Sequence, residues 1–229
     1  MKKPIYIAFF ILVILFTSCS KKSSGFDDGL LTDKPCKAPC WNGLVPGQAT
    51  SQDVDLFIQG LSTTEWPSRH TSVEKTGCKE VLIADKPFAS AHAVVKFHIE
   101  NGKLTYLQLF HDYMPLLQQI VDHLGPPEYV EAVNVIGPDG HFYALDIYYP
   151  KLGVAFKVFV HENDMGFIKP GMVVSDIQYF EPGDLLNYFL ARYACFDGRD
   201  GAEKFAQDEI ANYIQPWPGF GPVNVVDEK

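Results

Sequence analysis

The sequence predicts an α+β protein, with two tandem helix-plus-antiparallel-sheet repeats followed by C-terminal helices. Three observations predict it. Two amphipathic helical segments stand far apart in the chain. Each is followed by runs that alternate apolar and polar residues, and further helical segments close the chain. With 47% hydrophobic and 21% charged residues over 229 positions, there is ample material for a packed core.

The first repeat spans 36–112. Thr50 and Asp53 have the spacing of a capping box, with Asp in place of Glu, and Val54, Phe57, Ile58 and Leu61 then share one helical face. Segments 80–83, 91–100 and 103–111 read as strands. In the middle one Ala93, Val95, Phe97 and Ile99 alternate with Val94, Lys96, His98 and Glu100, which predicts one buried and one largely wet face. Asn101-Gly102 is a hairpin signal.

The second repeat spans 113–181. Pro115 suits a first helical turn, Leu117, Ile120, Val121 and Leu124 form the apolar stripe, and Gly125-Pro126 stops it. Segments 128–135, 141–149, 154–161 and 173–180 read as strands, with turns at 137–140 and 150–153. In the tail, 182–229, two helices are expected at 182–195 and 202–214, with Asp197-Gly-Arg-Asp200-Gly201 as a turn between them.

The N-terminus carries a different message. Met1-Lys2-Lys3, an apolar run over 5–16 and small residues before Cys19 form an export signal over 1–18. At about 1.5 Å per residue the run is too short to cross a ~30 Å hydrocarbon core. Residues 19–35 lack helical or strand periodicity and read as a flexible tether. A formal charge of −9 without a basic block argues against nucleic acid as a partner.

Leu15-Phe16-Thr17-Ser18-Cys19 resembles the lipobox of bacterial lipoproteins. That resemblance implies acylation of Cys19 and an extracytoplasmic protein anchored to the membrane by its acyl chains. Ser20, rather than Asp, implies the outer membrane if the organism has one. Gly43-Leu-Val-Pro-Gly47-Gln-Ala-Thr50 before a helix resembles BamE/SmpA-like small lipoproteins, and the tandem arrangement resembles the β-lactamase-inhibitor architecture. Cys36-Lys-Ala-Pro-Cys40-Trp41-Asn-Gly43-Leu-Val-Pro-Gly47 resembles bacterial lipoproteins that share a C-x-x-P-C-W-x-G-[IL]-x-P-G opening. These resemblances imply an interaction module of the cell envelope, with an envelope protein as partner.

Once Cys19 is set aside, Cys36, Cys40, Cys78 and Cys195 remain, an even number that predicts two disulfides with three possible pairings. The tight Lys-Ala-Pro spacing between Cys36 and Cys40 favours distant partners, Cys40–Cys78 and Cys36–Cys195. A zinc site lacks its second close pair.

No P-loop, nucleophile elbow, dinucleotide fingerprint or His-Glu-x-x-His occurs. The expectation is therefore a non-enzymatic protein with no metal and no cofactor. Three readings remain open. The first is a protein-interaction module. The second is a sugar- or peptide-binding lipoprotein that uses Trp41, Tyr143, Tyr148 and Trp217. The third is a hydrolase assembled around the strand-end pairs His111-Asp112 and His161-Glu162. His92 and His98, on one strand face, lie too far apart to share an ion. Tyr148 and Tyr149 point to opposite faces of a strand, so one is expected to be exposed.

Overall fold

Helix α1 (Ser51–Gly60) begins where the sequence places it. The Thr50 hydroxyl accepts the Asp53 backbone N–H at 3.2 Å, and the Asp53 carboxylate accepts the Thr50 backbone N–H at 2.7 Å. Val54 and Ile58 are its buried residues. Helix α2 (Leu117–Leu124) buries Leu117 and Ile120 and ends at Gly125. Its cap is Leu116, whose N–H donates to the Gln119 side chain at 2.9 Å, so Pro115 precedes the helix instead of opening its first turn. This computed structural model describes residues 29–227 except 62, 65, 74–77, 86–91, 113, 138–139 and 161. Cys19 and the signal segment thus lie outside the described residues.

Four antiparallel strands follow each helix. After α1 come β1 (Ser68–Val73), β2 (Cys78–Ala84), β3 (Ala93–Glu100) and β4 (Lys103–His111). After α2 come β5 (Tyr129–Gly137), β6 (Gly140–Tyr149), β7 (Val154–Val160) and, beyond the short β8 (Phe167–Ile168), β9 (Asp176–Phe180). The two sets join at one seam. Last strand pairs with last strand, β4 against β9, so the sheet runs β1-β2-β3-β4-β9-β7-β6-β5. Antiparallel β10 (Ile214–Pro216) and parallel β12 (Val226–Asp227) complete the β5 edge, while β11 (Gly221–Pro222) pairs with β8. Both expected repeats therefore share one sheet.

Two glycine turns fix local geometry. Asn101 and Gly102 both take positive φ, 52° and 76°, the pattern of a type I′ hairpin. Gly153 closes the turn after β6 at φ 67°, and a Cβ there would meet the Phe180 carbonyl oxygen at 2.4 Å.

Both sheet faces are covered. Helices α1 and α2 lie with Trp41, Phe97, Leu107, Leu145, Phe156 and Ile177 in the larger core. On the other face helix α3 (Leu185–Asn212) packs Leu185, Tyr188, Phe189 and Ala206 against Tyr106, Tyr148, Ala155 and Phe180. This second layer overturns two expectations. The alternate face of β3 is not wet: His98 is 1% exposed, with Nδ1 at 3.2 Å from the Ala191 carbonyl of α3 and Nε2 at 3.1 Å from Glu80. Tyr148 and Tyr149 point to opposite faces, yet both are buried.

Three more corrections concern the chain's ends and links. Helix α3 is a single helix of 28 residues that runs through the expected turn at 197–201. Leu185, Tyr188, Phe189, Cys195, Ala202 and Ala206 are all buried, so packing on the sheet outweighs the ~1 kcal/mol that each helical glycine costs. The disulfides are Cys36–Cys40 and Cys78–Cys195, not the distant pairings expected for Cys36 and Cys40. The Lys37–Cys40 turn, closed by the Cys40 N–H on the Lys37 carbonyl at 3.0 Å, brings Cys36 and Cys40 to a Cα separation of 5.7 Å. Finally, residues 29–35, expected to belong to the tether, are docked on the fold. Leu30 is 3% exposed in the core, and Asp33 bonds His123 at 3.1 Å, because the apolar Leu30-Leu31 pair docks the chain early.

Candidate functional site

Charged residues occupy the interiors of strands that are otherwise apolar. The register sets Glu131 of β5 opposite Asp146 of β6, Asp146 opposite Lys157 of β7, and Lys157 opposite Asp176 of β9. All four therefore stand in one row across the sheet, on the face that α3 covers. Glu131, Asp146 and Asp176 are 8%, 5% and 1% exposed.

A polar relay ties this row to the helix. Arg192 donates to the Tyr188 hydroxyl, and Tyr188 donates to the Gln178 side-chain oxygen at 2.7 Å. Tyr106 donates to the same oxygen at 2.8 Å, and the Gln178 amide donates to Asp176. At the other end of the row Tyr148 donates to Glu131. The Arg192 guanidinium lies 5.0 Å from the Tyr193 ring centroid.

Beyond the relay the sheet and α3 diverge around a cavity of about 260 Å³. Its sheet side is Glu131, Val133, Ala144, Asp146, Lys157 and Phe159; its helix side is Phe189, Arg192, Tyr193, Phe205, Glu209 and Tyr213. Lys157 pairs with one Asp146 oxygen at 3.4 Å, while the other, Oδ1, is buried and accepts no hydrogen bond among the described residues. Arg192 has no carboxylate within 4.0 Å among the described residues. Phe159, at 60% exposure, and Phe205, at 36%, stand at the rim.

Burial sets the acid chemistry of the row. It pushes the Glu131 carboxyl up to about 8, with the Asp146 charge adding to it, and the Asp176 carboxyl up to about 6. Two carboxyls of the row are thus shifted towards neutral pH, and one of them, Glu131, lines the cavity.

The aromatics expected to bind a ligand do not meet. Trp41 is buried against Phe57 and Phe97 on the opposite face, with ring centroids 5.2 and 6.2 Å away. Tyr143 is buried in that same core, and Trp217 is half-buried beside Phe220. Tyr148 alone touches the site, through Glu131. The repeats share one sheet, and the cavity lies between sheet and helix. His92, read as part of a strand, precedes β3 and pairs with Asp112, the residue expected to work with its neighbour His111. His111 is half-buried, and His161 lies outside the described residues. No group of three His, Cys, Asp or Glu able to hold a metal is found among the described residues. Compared with family models, with curated proteins and with solved structures, the chain matches none.

Proposed function

We propose that the chain is a lipid-anchored, extracytoplasmic lipoprotein that acts by binding a small polar ligand in the cavity between α3 and the sheet, without catalysing a reaction. One observation carries the binding reading: the cavity is lined by Arg192, whose guanidinium has no carboxylate within 4.0 Å among the described residues, together with Asp146, Lys157 and Glu209. The anchor rests on the lipobox resemblance at Cys19.

Both parts have a direct test. Labelled palmitate is incorporated into the wild-type protein and not into Cys19→Ala, which leaves the membrane fraction; persistent label removes the anchor. Native mass spectrometry of protein from detergent-solubilised envelopes shows a small-molecule adduct that Asp146→Asn loses. No adduct in either protein argues against the binding reading.

A second reading, an interaction module with an envelope protein, has its own support. Leu116 and Val173 form an adjacent bridge pair, 40% and 54% exposed, and together present an apolar patch.

A further inference from the structure

Accepting that the cavity is a binding site, we infer that its ligand is a neutral polyhydroxylated ring, a single sugar unit, hydrogen-bonded to Lys157, Arg192 and Glu209 and stacked by one face on Phe159. The inference rests on the binding reading and deepens it by naming the ligand class.

Charge balance selects a neutral ligand. Among the charged lining residues Lys157 and Arg192 are cations, and Asp146 and Glu209 are anions. Glu131 lines the same space, but its carboxyl is raised to about 8 and is mostly protonated at pH 7. Lys157 pairs with Asp146 at 3.4 Å, and Arg192 lies within the field of Asp146. Asp176, which accepts from the Gln178 amide, also feels Arg192. An anionic ligand would meet Asp146 and Glu209; a cationic one would meet Lys157 and Arg192. Neither finds an uncompensated partner to offset the loss of its own hydration.

Hydrogen-bonding capacity then selects hydroxyls. An apolar ligand would strip water from these charged groups and return nothing. A hydroxyl both donates and accepts, so neighbouring hydroxyls of one ring accept from Lys157 or Arg192 and donate to Glu209. Arg192 gives one donor to Tyr188 and has further donors in the same plane. Lys157, Arg192 and Glu209 are each half-buried and line the space, whereas the Asp146 carboxylate is 5% exposed and acts only as their counter-charge.

The mouth supplies the stacking surface. Phe159 of β7 is 60% exposed, and the register sets it opposite Ala144 of β6, whose small side chain leaves the ring uncovered on that side. On the helix side Phe205 packs its ring 4.7 Å from that of Tyr193. The C–H face of a sugar ring takes the Phe159 surface out of water while the hydroxyl edge stays on the polar wall. At ~30 Å³ per water-sized volume the cavity has room for roughly eight or nine such volumes, which suits one sugar ring and not a chain of them.

The test is isothermal titration calorimetry of the full-length protein in a detergent without a sugar headgroup. The probes are a panel of neutral monosaccharides, the uronic-acid and amino-sugar forms of the tightest one, an open-chain polyol, and the common L-amino acids. The expected result is saturable binding of a neutral monosaccharide, with at least a fivefold loss in both charged forms and in the open-chain polyol. Phe159→Ser, at an exposed position, weakens binding at least fivefold with its thermal unfolding unchanged, and Phe159→Tyr, which keeps the ring, restores it. A charged sugar or an amino acid that binds more tightly than every neutral sugar overturns the ligand class and leaves the binding reading standing. A sugar whose affinity ignores Phe159→Ser overturns its placement in this cavity. Silence from every sugar overturns the class. A small-molecule adduct on the envelope-extracted protein then keeps the binding reading, and its absence ends both.

Discussion

At the residue scale the informative groups are the carboxyls that burial raises. Glu131 accepts from Tyr148 and stands opposite Asp146, and its carboxyl is raised from 4.5 to about 8 by burial first and by Asp146 second. An acid raised in the folded state gives stability a definite sign with pH. Below about 4.5 both states hold the proton and nothing is lost. Between 4.5 and 8 the unfolded chain releases it while the folded chain keeps it, so stability falls as pH rises and levels off above 8. Asp176 adds the same sign between 3.8 and about 6. Glu131→Gln removes the larger contribution while the amide still accepts from Tyr148. The variant is therefore expected to match wild type near pH 4 and to melt higher at pH 8, by about 2–4 °C for each kcal/mol relieved. Thermal melts followed by circular dichroism at the two pH values check it. Equal melting shifts at both would show that the residue is not held protonated.

At the element scale helix α3 is the decisive piece, and its stability has two separable sources. The Cys78–Cys195 bridge ties it to β2 across a sequence separation of 117, whereas Cys36–Cys40 closes a separation of 4. In the chain-entropy model these constrain the unfolded state by about 5 and about 2 kcal/mol, respectively. Chemical denaturation should therefore show a much larger loss for the Cys78→Ala/Cys195→Ala double variant than for Cys36→Ala/Cys40→Ala. Equal losses would place the stabilisation elsewhere. Gly201 lies exposed inside the same helix, so Gly201→Ala is expected to stabilise by about 0.5–1 kcal/mol, read from the same denaturation curves. The element scale also shows what the sequence reveals. Alternation places β3, β4, β6 and β7 because their inward residues are uniformly apolar. Polar β1 lacks that signal, being an edge strand that among the described residues pairs only with β2. The glycines at 198 and 201 read as a break because local propensity does not know that a sheet face waits for both halves of the helix. The cavity was partly visible as Glu131, Asp146 and Lys157 inside strands and Arg192 within an apolar stripe. What hid it was register: three strands must align before those charges become neighbours.

At the scale of the whole molecule the two helix-plus-sheet halves are not beads on a string. Pairing of β4 with β9 from Tyr106↔Phe180 to Phe110↔Asp176 fuses the two sets of strands edge to edge at the middle of the sheet. Tyr106 of the first half and Tyr188 of α3 bond the same Gln178 of the second, so one buried oxygen serves three elements. The face that α3 covers holds Tyr106, Tyr148 and Phe180 from both halves, each at most 1% exposed. Opening the first half alone would strip that aromatic layer and take the Tyr106 donor from the Gln178 oxygen, a penalty of about 1–3 kcal/mol beyond the lost apolar contact. Independent unfolding of the halves is thus disfavoured, and differential scanning calorimetry should record one transition. Its calorimetric enthalpy should equal the van't Hoff enthalpy, at about 0.7 kcal/mol per folded residue near 60 °C. Reducing conditions make the test sharper. Without the Cys78–Cys195 bridge the transition should move to lower temperature and stay single, because the seam and the shared relay, not the disulfide, couple the halves. Two resolved transitions after reduction would show instead that the covalent link alone holds them together.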